Sequence, residues 1–224
     1  MSSYPKTMNV LKELLKWSPG IISPISNIFE IVDIDKTGKA YSVDTVTYVL
    51  FILGNIVGYF FTDQYTSIKT LLAYILPSIL EICIIGIKYK TDGDKNNEII
   101  YSTVLSFILF ISVFSVIYYE KNKRFSEIRS DISEISGIIL AILYPVANIL
   151  QLIKIIKSDS AVGVSEITWI LVFISNIGLY ALSEKYYNWK SIVAFLGSAL
   201  INLVTIFYIV HLKNNKKDDD KITT

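Results

Sequence analysis

Polar and apolar positions along this chain fall into long blocks rather than into the short alternations of a soluble fold. Uncharged, mostly apolar runs cover Thr45–Thr62, Thr70–Leu80, Ile99–Tyr119, Ile135–Ile153, Ile167–Ser183 and Ser191–Val210, and the second continues past Glu81 to Ile87. A helix rises about 1.5 Å per residue and the hydrocarbon layer is about 30 Å thick, so each block can cross a bilayer as a helix. These blocks predict six spans. A seventh, the first in the chain, is expected over Leu14–Ile34, where Lys16 and Glu30 flank an uncharged stretch interrupted by Pro19 and Pro24. Prolines are tolerated in membrane helices when neighbours satisfy the freed carbonyls. Lys6, Lys12, Glu13 and Lys16 break up any cleavable apolar core, so this first span is expected to act as the targeting segment. The connecting segments Lys88–Glu98 and Glu120–Glu134 are short and polar, and the charged tail after Leu212 is expected to be disordered.

Sliding the chain against itself by 121 residues exposes an internal repeat. Pro24 falls on Pro145, Asn27 on Asn148, Lys36 on Lys157, Thr47 on Thr168, Asn55 on Asn176, Tyr59 on Tyr180, Tyr65 on Tyr186 and Lys69 on Lys190, without a gap. Apolar coincidences are common in such sequences; Pro, Asn, Tyr and Lys pairs held in one register across three spans are not. Each copy contains three spans, so the intervening fourth span restores the direction of crossing and both copies run the same way. The expected fold is an all-α membrane protein of seven transmembrane helices, two parallel three-helix repeats joined by a linker helix in a 3-1-3 order. Residues 8–90 form the first repeat, 97–119 the linker helix, 132–212 the second repeat and 213–224 the tail.

Composition narrows the chemistry. The chain is 52% hydrophobic and 18% charged with a formal net charge of +1, and its mean hydropathy is +0.49. So balanced a charge gives no field to attract nucleic acid. One cysteine, Cys83, allows neither a disulfide framework nor a thiolate metal site, and its apolar setting reads as a buried small hydrophobe. A single histidine, His211, beside the basic tail makes a metal centre unexpected, and no cofactor is implied. No span holds a histidine, no serine sits in a Gly-x-Ser-x-Gly frame, and the last span has no mid-membrane lysine. An enzyme or a retinal protein is therefore not expected. A non-transport seven-helix receptor stays open as a rival, although a three-helix repeat is not its expected signature.

In transporters built from repeats the solute site lies near the midplane where the halves meet, so paired polar residues in mid-span are the candidates. Asn55 and Asn176 occupy such positions, and Tyr59 and Tyr180, four residues on, share a helix face with them. Amide and phenol groups together suit a hydroxyl-rich solute, while the alternative reading of the Asn pair is interhelical glue. Pro24 and Pro145 read as paired hinges or as fixed kinks. Glu81, alone inside a span with Asn202 as its repeat mate, is a candidate for proton coupling or has a structural role. Glu30 and its mate Gln151, near the loop ends of their spans, are expected to be solvated.

The segments Ser23-Pro24-Ile25-Ser26-Asn27-Ile28 and Tyr144-Pro145-Val146-Ala147-Asn148-Ile149, with the Lys36-Thr37 and Lys157-Ser158 turns, the following Ser42 and Ser165, and the late Tyr59 and Tyr180, resemble the SWEET family of sugar facilitators. That family is related to the PQ-loop transporters and the three-helix SemiSWEETs. The resemblance covers residues ~10–212 and rests on the combination rather than on any single motif. It implies facilitative, bidirectional transport of mono- or disaccharides by alternating access, with the N-terminus outside. It also implies residence in the plasma membrane, the Golgi or another endomembrane, and permits a homo-oligomer in the lipid bilayer. The PQ-loop relatives make proton-coupled transport of amino acids or other small solutes the alternative. The sequence departs from the family at the sugar-facing positions. Ile56 and Ile177 stand where an aromatic is usual, Ala73-Tyr74 and Ala194-Phe195 where an Asn is usual, and Ile25 and Val146 follow the prolines in place of Gln.

Overall fold

The computed structural model describes residues 6–40, 42–62, 64–65, 67–92, 103–108, 111–112, 115 and 123–222. Six helices account for most of them: α1 (Lys6–Thr37), α2 (Thr45–Thr62), α3 (Ile68–Asp92), α4 (Lys123–Ser158), α5 (Glu166–Ser183) and α6. The last opens at Trp189–Ser191, passes through a π-helical stretch at Ile192–Gly197 and continues as Ser198–Ile222. No strand occurs among the described residues. Within the expected fourth span only residues 103–108, 111, 112 and 115 are described, all helical, and the rest of that span lies outside the described residues.

Five helices, α2 to α6, are long and apolar enough to cross a membrane, and the chain is an all-α integral membrane protein. Their outward faces agree with that. Ile135, Ile138, Ile142, Ile149 and Ile156 of α4 are all exposed, and so are Leu200, Val204 and Phe207 of α6. Water would penalise such an apolar surface; hydrocarbon does not. The first helix is not among the five, because Lys16, Glu30 and Asp33 interrupt its apolar stretch. Cys83 sits on the outer face of α3 and is exposed, which corrects its reading as a buried residue. The tail is corrected as well: the last helix runs on to Ile222 rather than ending at Leu212.

The 121-residue register of the sequence reappears in the element bounds and contacts. Helix α2 begins and ends 121 residues before α5, and α1 ends 121 residues before α4. Both α1 and α4 stop at a residue in the left-handed region, Gly38 at φ 60° and Asp159 at φ 45°. Such a residue ends a helix by turning the chain out of the ladder, and glycine does so without steric cost. Helix α3 lies between α1 and α2, and α6 between α4 and α5; the two sets meet along α1–α5 and α2–α4. Every one of these contacts has its counterpart under the same shift, so the six helices close a ring with pseudo-twofold equivalence.

Hydrogen bonds repeat the relation. The Tyr59 hydroxyl donates to the Tyr65 carbonyl at 2.7 Å and the Tyr180 hydroxyl to that of Tyr186. Tyr65 and Tyr186 donate back to Phe60 and Ala181. Lys69 pairs with Glu13 at 2.5 Å, and Lys190 with Glu134. Lys69 and then Lys16 hold the exposed Glu13 carboxyl below its usual range.

Candidate functional site

Where the two sets of helices meet, the bundle leaves a narrow cavity of about 40 Å³, room for about three waters on the usual allowance of 10–15 Å³ each. Its walls come from α1 to α5. Asn55 and Asn176 both line it, as do the paired positions Ser23 and Tyr144, Tyr48 and Trp169, and Phe51 and Val172. The two asparagines expected at the meeting of the halves are therefore brought together. Their surroundings differ. The Asn55 amide donates to both Glu81 carboxylate oxygens, at 3.2 and 3.0 Å, and its carbonyl accepts from the Tyr144 hydroxyl at 2.5 Å. This chain of bonds runs from α4 through α2 to α3 and crosses between the halves. Glu81 is thus a buried cavity-wall residue, and no Lys, Arg or His lines the same cavity among the described residues.

Gly54 shows why that crossing is possible. A Cβ there would come within 2.4 Å of the Tyr144 ring, so only glycine lets the ring reach across to Asn55, one residue on.

Tyr59 and Tyr180 are placed otherwise than expected. They share a helix with the asparagines, but their hydroxyls reach past the helix end to the Tyr65 and Tyr186 carbonyls, and neither ring lines the cavity. Tyr59 is fully buried in an aromatic cluster with Phe60 and Tyr65. In this structure they close a loop and do not line the cavity. Nor do Ile56 and Ile177 line the cavity; Tyr48 and Trp169, two turns earlier, do. Tyr48 and Trp169 lie within uncharged blocks of the sequence, and their pairing under the 121-residue shift is the signal that points to them. Pro24 and Pro145 lie inside continuous helices, Pro145 directly after Tyr144.

Bonds bridge the two halves at both ends of their interface. At the end holding the α1–α2 and α4–α5 turns, Thr47 donates to the Ala147 carbonyl at 3.1 Å and Thr168 to that of Ser26 at 2.9 Å, an equivalent pair. Gln151 accepts from the Asp44 N–H at 3.0 Å, and Glu30 accepts from the Ser165 N–H at 3.0 Å. Each side chain thus caps the first turn of a helix in the other half, satisfying donors that a helix start leaves open. Glu30 and Gln151 are fully buried, which corrects the expectation that they are solvated: a helix N-terminus, not water, receives them. Glu30 also accepts from Tyr48 at 3.1 Å, whereas Gln151 donates to the Ser42 carbonyl at 2.9 Å. At the opposite end Lys16 pairs with Glu184, and Ser133 and Lys185 both donate to the Phe61 carbonyl, at 2.9 and 2.6 Å.

No protein-family model, curated protein or solved structure matches this chain.

Proposed function

We propose that this chain is a bidirectional, facilitative transporter of small hydroxyl-rich solutes, sugars of mono- or disaccharide size, working by alternating access. In this reading the membrane is crossed seven times, by two parallel three-helix repeats and the linker helix at 97–119. One observation carries the reading. A cavity lies between two equivalent helix sets, its Asn55 and Asn176 amides supply donors and acceptors, and bonds between the halves cross at both ends of the bundle. A cavity of about 40 Å³ is too small for a sugar, so solute enters only as the halves part at one end. That parting is the motion which rocking around a fixed central site requires.

The test is counterflow in proteoliposomes with radiolabelled glucose and sucrose. Saturable exchange is expected, and Asn55→Ala with Asn176→Ala should raise the half-saturation concentration by about 10-fold or more, the equivalent of one lost hydrogen bond to a solute. Absence of saturable exchange of any sugar would refute the sugar assignment.

A second reading, proton-coupled transport of an amino acid or another small solute, is favoured by Glu81. Its carboxyl group stands in the cavity wall bonded to Asn55 and without a cationic neighbour in that wall. Accumulation against a gradient that collapses with a protonophore would decide for this reading.

A further inference from the structure

The junction at which α6 meets α4 and α5 gathers buried polar atoms that the cavity's own bonds do not use. In the first half, the equivalent junction is filled: Glu81 reaches the Asn55 amide, Asn27 lies beside Glu81, and the Asn27 amide donates to the Pro77 carbonyl at 3.2 Å. Under the 121-residue shift these positions become Asn202, Asn176, Asn148 and Ser198, and the helices carrying them pack in the equivalent way. Asn202, Ser198 and Asn148 are at most 1% exposed. Yet both side-chain polar atoms of Asn202, the Ser198 hydroxyl and the Asn148 carbonyl have no hydrogen-bond partner. The Asn148 amide is already committed to the Tyr144 carbonyl at 2.7 Å, which fixes its oxygen as the free acceptor.

The difference has a plain cause. Asparagine is one methylene shorter than glutamate. Glu81 spans the distance to its asparagine, whereas neither polar atom of Asn202 bonds Asn176, which lines the cavity. The π-helical stretch Ile192–Gly197 ends directly before Ser198, and such stretches adjust the rotation of the residues that follow.

We propose that this junction binds a hydroxyl oxygen that bridges Asn202 to Asn176 and serves Asn148 and Ser198. The donor set decides the class. The Asn202 amide N–H groups need an acceptor, which a cation cannot offer. The Asn148 and Asn202 carbonyl oxygens need a donor, which an anion cannot offer. A neutral O–H group supplies both. Buried groups of this kind are satisfied by ordered water in native proteins, and a hydroxyl of the solute, entering past Asn176, has the same chemistry. The water source is independent of the transport reading; the solute source rests on it.

The experiment is thermal unfolding of the purified protein in detergent, with and without saturating glucose, for Asn202→Leu, Ser198→Ala and Asn202→Gln. If the junction holds a hydroxyl, Asn202→Leu lowers Tm by about 2–4 °C or more, because the bridging oxygen and its other partners lose a bond. Ser198→Ala moves Tm the same way by less. Asn202→Gln restores the length of Glu81 and leaves Tm at or above that of the parent. A fall seen without glucose assigns water, and a fall seen only with glucose assigns the solute hydroxyl. A Tm unchanged or raised by Asn202→Leu in both conditions overturns the proposal, since removing dry, unpartnered polar atoms stabilises. Should Asn202→Leu fail to fold, Ser198→Ala decides by the sign of its shift. Failure of sugar counterflow together with a fall in Tm without glucose would sink the transport reading and leave the hydration site standing.

Discussion

Glu30 and Gln151 occupy equivalent places and make equivalent bonds to the opposite half, but they differ in what replacement should cost. Gln151 serves two backbone groups at once, accepting from the Asp44 N–H at 3.0 Å and donating to the Ser42 carbonyl at 2.9 Å. Gln151→Leu keeps the volume and removes both partners. An orphaned buried backbone group costs about 1–3 kcal/mol, and the partly buried Asp44 N–H lies at the low end because water can still approach it. The sum is about 2–4 kcal/mol, equivalent to a fall in Tm of about 4–16 °C at 2–4 °C per kcal/mol. Glu30→Gln is the control. Its carbonyl oxygen still accepts from the Ser165 N–H, and the Tyr48 hydroxyl, which can accept as well as donate, turns to take the new amide. A Tm within about 2 °C of the parent is expected, since no group is left unpaired. The assay is intrinsic-fluorescence unfolding in one detergent at one pH for all three proteins. If Gln151→Leu unfolds at the parent's temperature, or Glu30→Gln is as damaging, the reciprocal caps do not hold the halves together.

Other perturbations read other parts of the structure. Tyr144→Phe deletes the donor to Asn55 and leaves a buried carbonyl oxygen unpaired, a cost of about 1–3 kcal/mol borne only while the halves are closed. Pulsed electron resonance distances between labels introduced at Lys36 and Lys157, both exposed, should then shift toward a longer, broader distribution in a Cys83→Ser background. An unchanged distribution would show that the bond does not hold the closed form. A spin label on Cys83, exposed on α3, should collide more with oxygen than with a polar nickel chelate in liposomes, and the reverse preference would place that face in water. Pro24→Ala with Pro145→Ala restores two ladder hydrogen bonds and removes two places where a helix bends at low cost. Insertion and unfolding should remain normal while counterflow falls by about 10-fold or more. Counterflow at the parental rate would make the prolines fixed kinks.

Much of this fold is legible in the sequence because its strongest signals are additive. A span needs only a run of apolar residues, and a repeat needs only a register, so α2 to α6 and their pairing follow from a linear reading. Asn55 and Asn176 were accessible by the same logic, since mid-span polar pairs are rare. What escaped depends on direction. Tyr59 sits four residues from Asn55, yet its hydroxyl extends beyond the helix end to Tyr65, and spacing on a helix cannot tell a ring that turns inward from one that reaches along the axis. Glu30 and Gln151 looked solvated because a charged or polar residue near a loop usually is. Their actual partners, the Ser165 and Asp44 N–H groups, lie more than 100 residues away in the chain. Tyr144 escaped for a third reason. Its role needs Gly54 on another helix, and that pair has no signature in either local sequence.

Some bonds that fasten helices and turns, such as Tyr59 with Tyr65 and Tyr180 with Tyr186, or Thr47 with Ala147 and Thr168 with Ser26, occur in matched pairs, whereas Lys16 with Glu184 and Lys185 with Phe61 do not. Mismatched pairs gather at the cavity and its caps: Tyr144 against Ser23, Glu81 against Asn202, Gly54 against Ser175, Glu30 against Gln151. Under the transport reading the mismatches in the cavity wall serve the solute. The twofold relating the halves maps each end of the bundle onto itself, so a matched pair such as Thr47 and Thr168 fastens one end evenly and does not balance it against the other. A solute without twofold symmetry, however, meets a symmetric site in two equivalent orientations and is held firmly in neither. One carboxylate, one phenol crossing between the halves and one short amide break that degeneracy. They break it in the wall where the solute would be held, while Thr47 and Thr168 stay paired at one end of that wall.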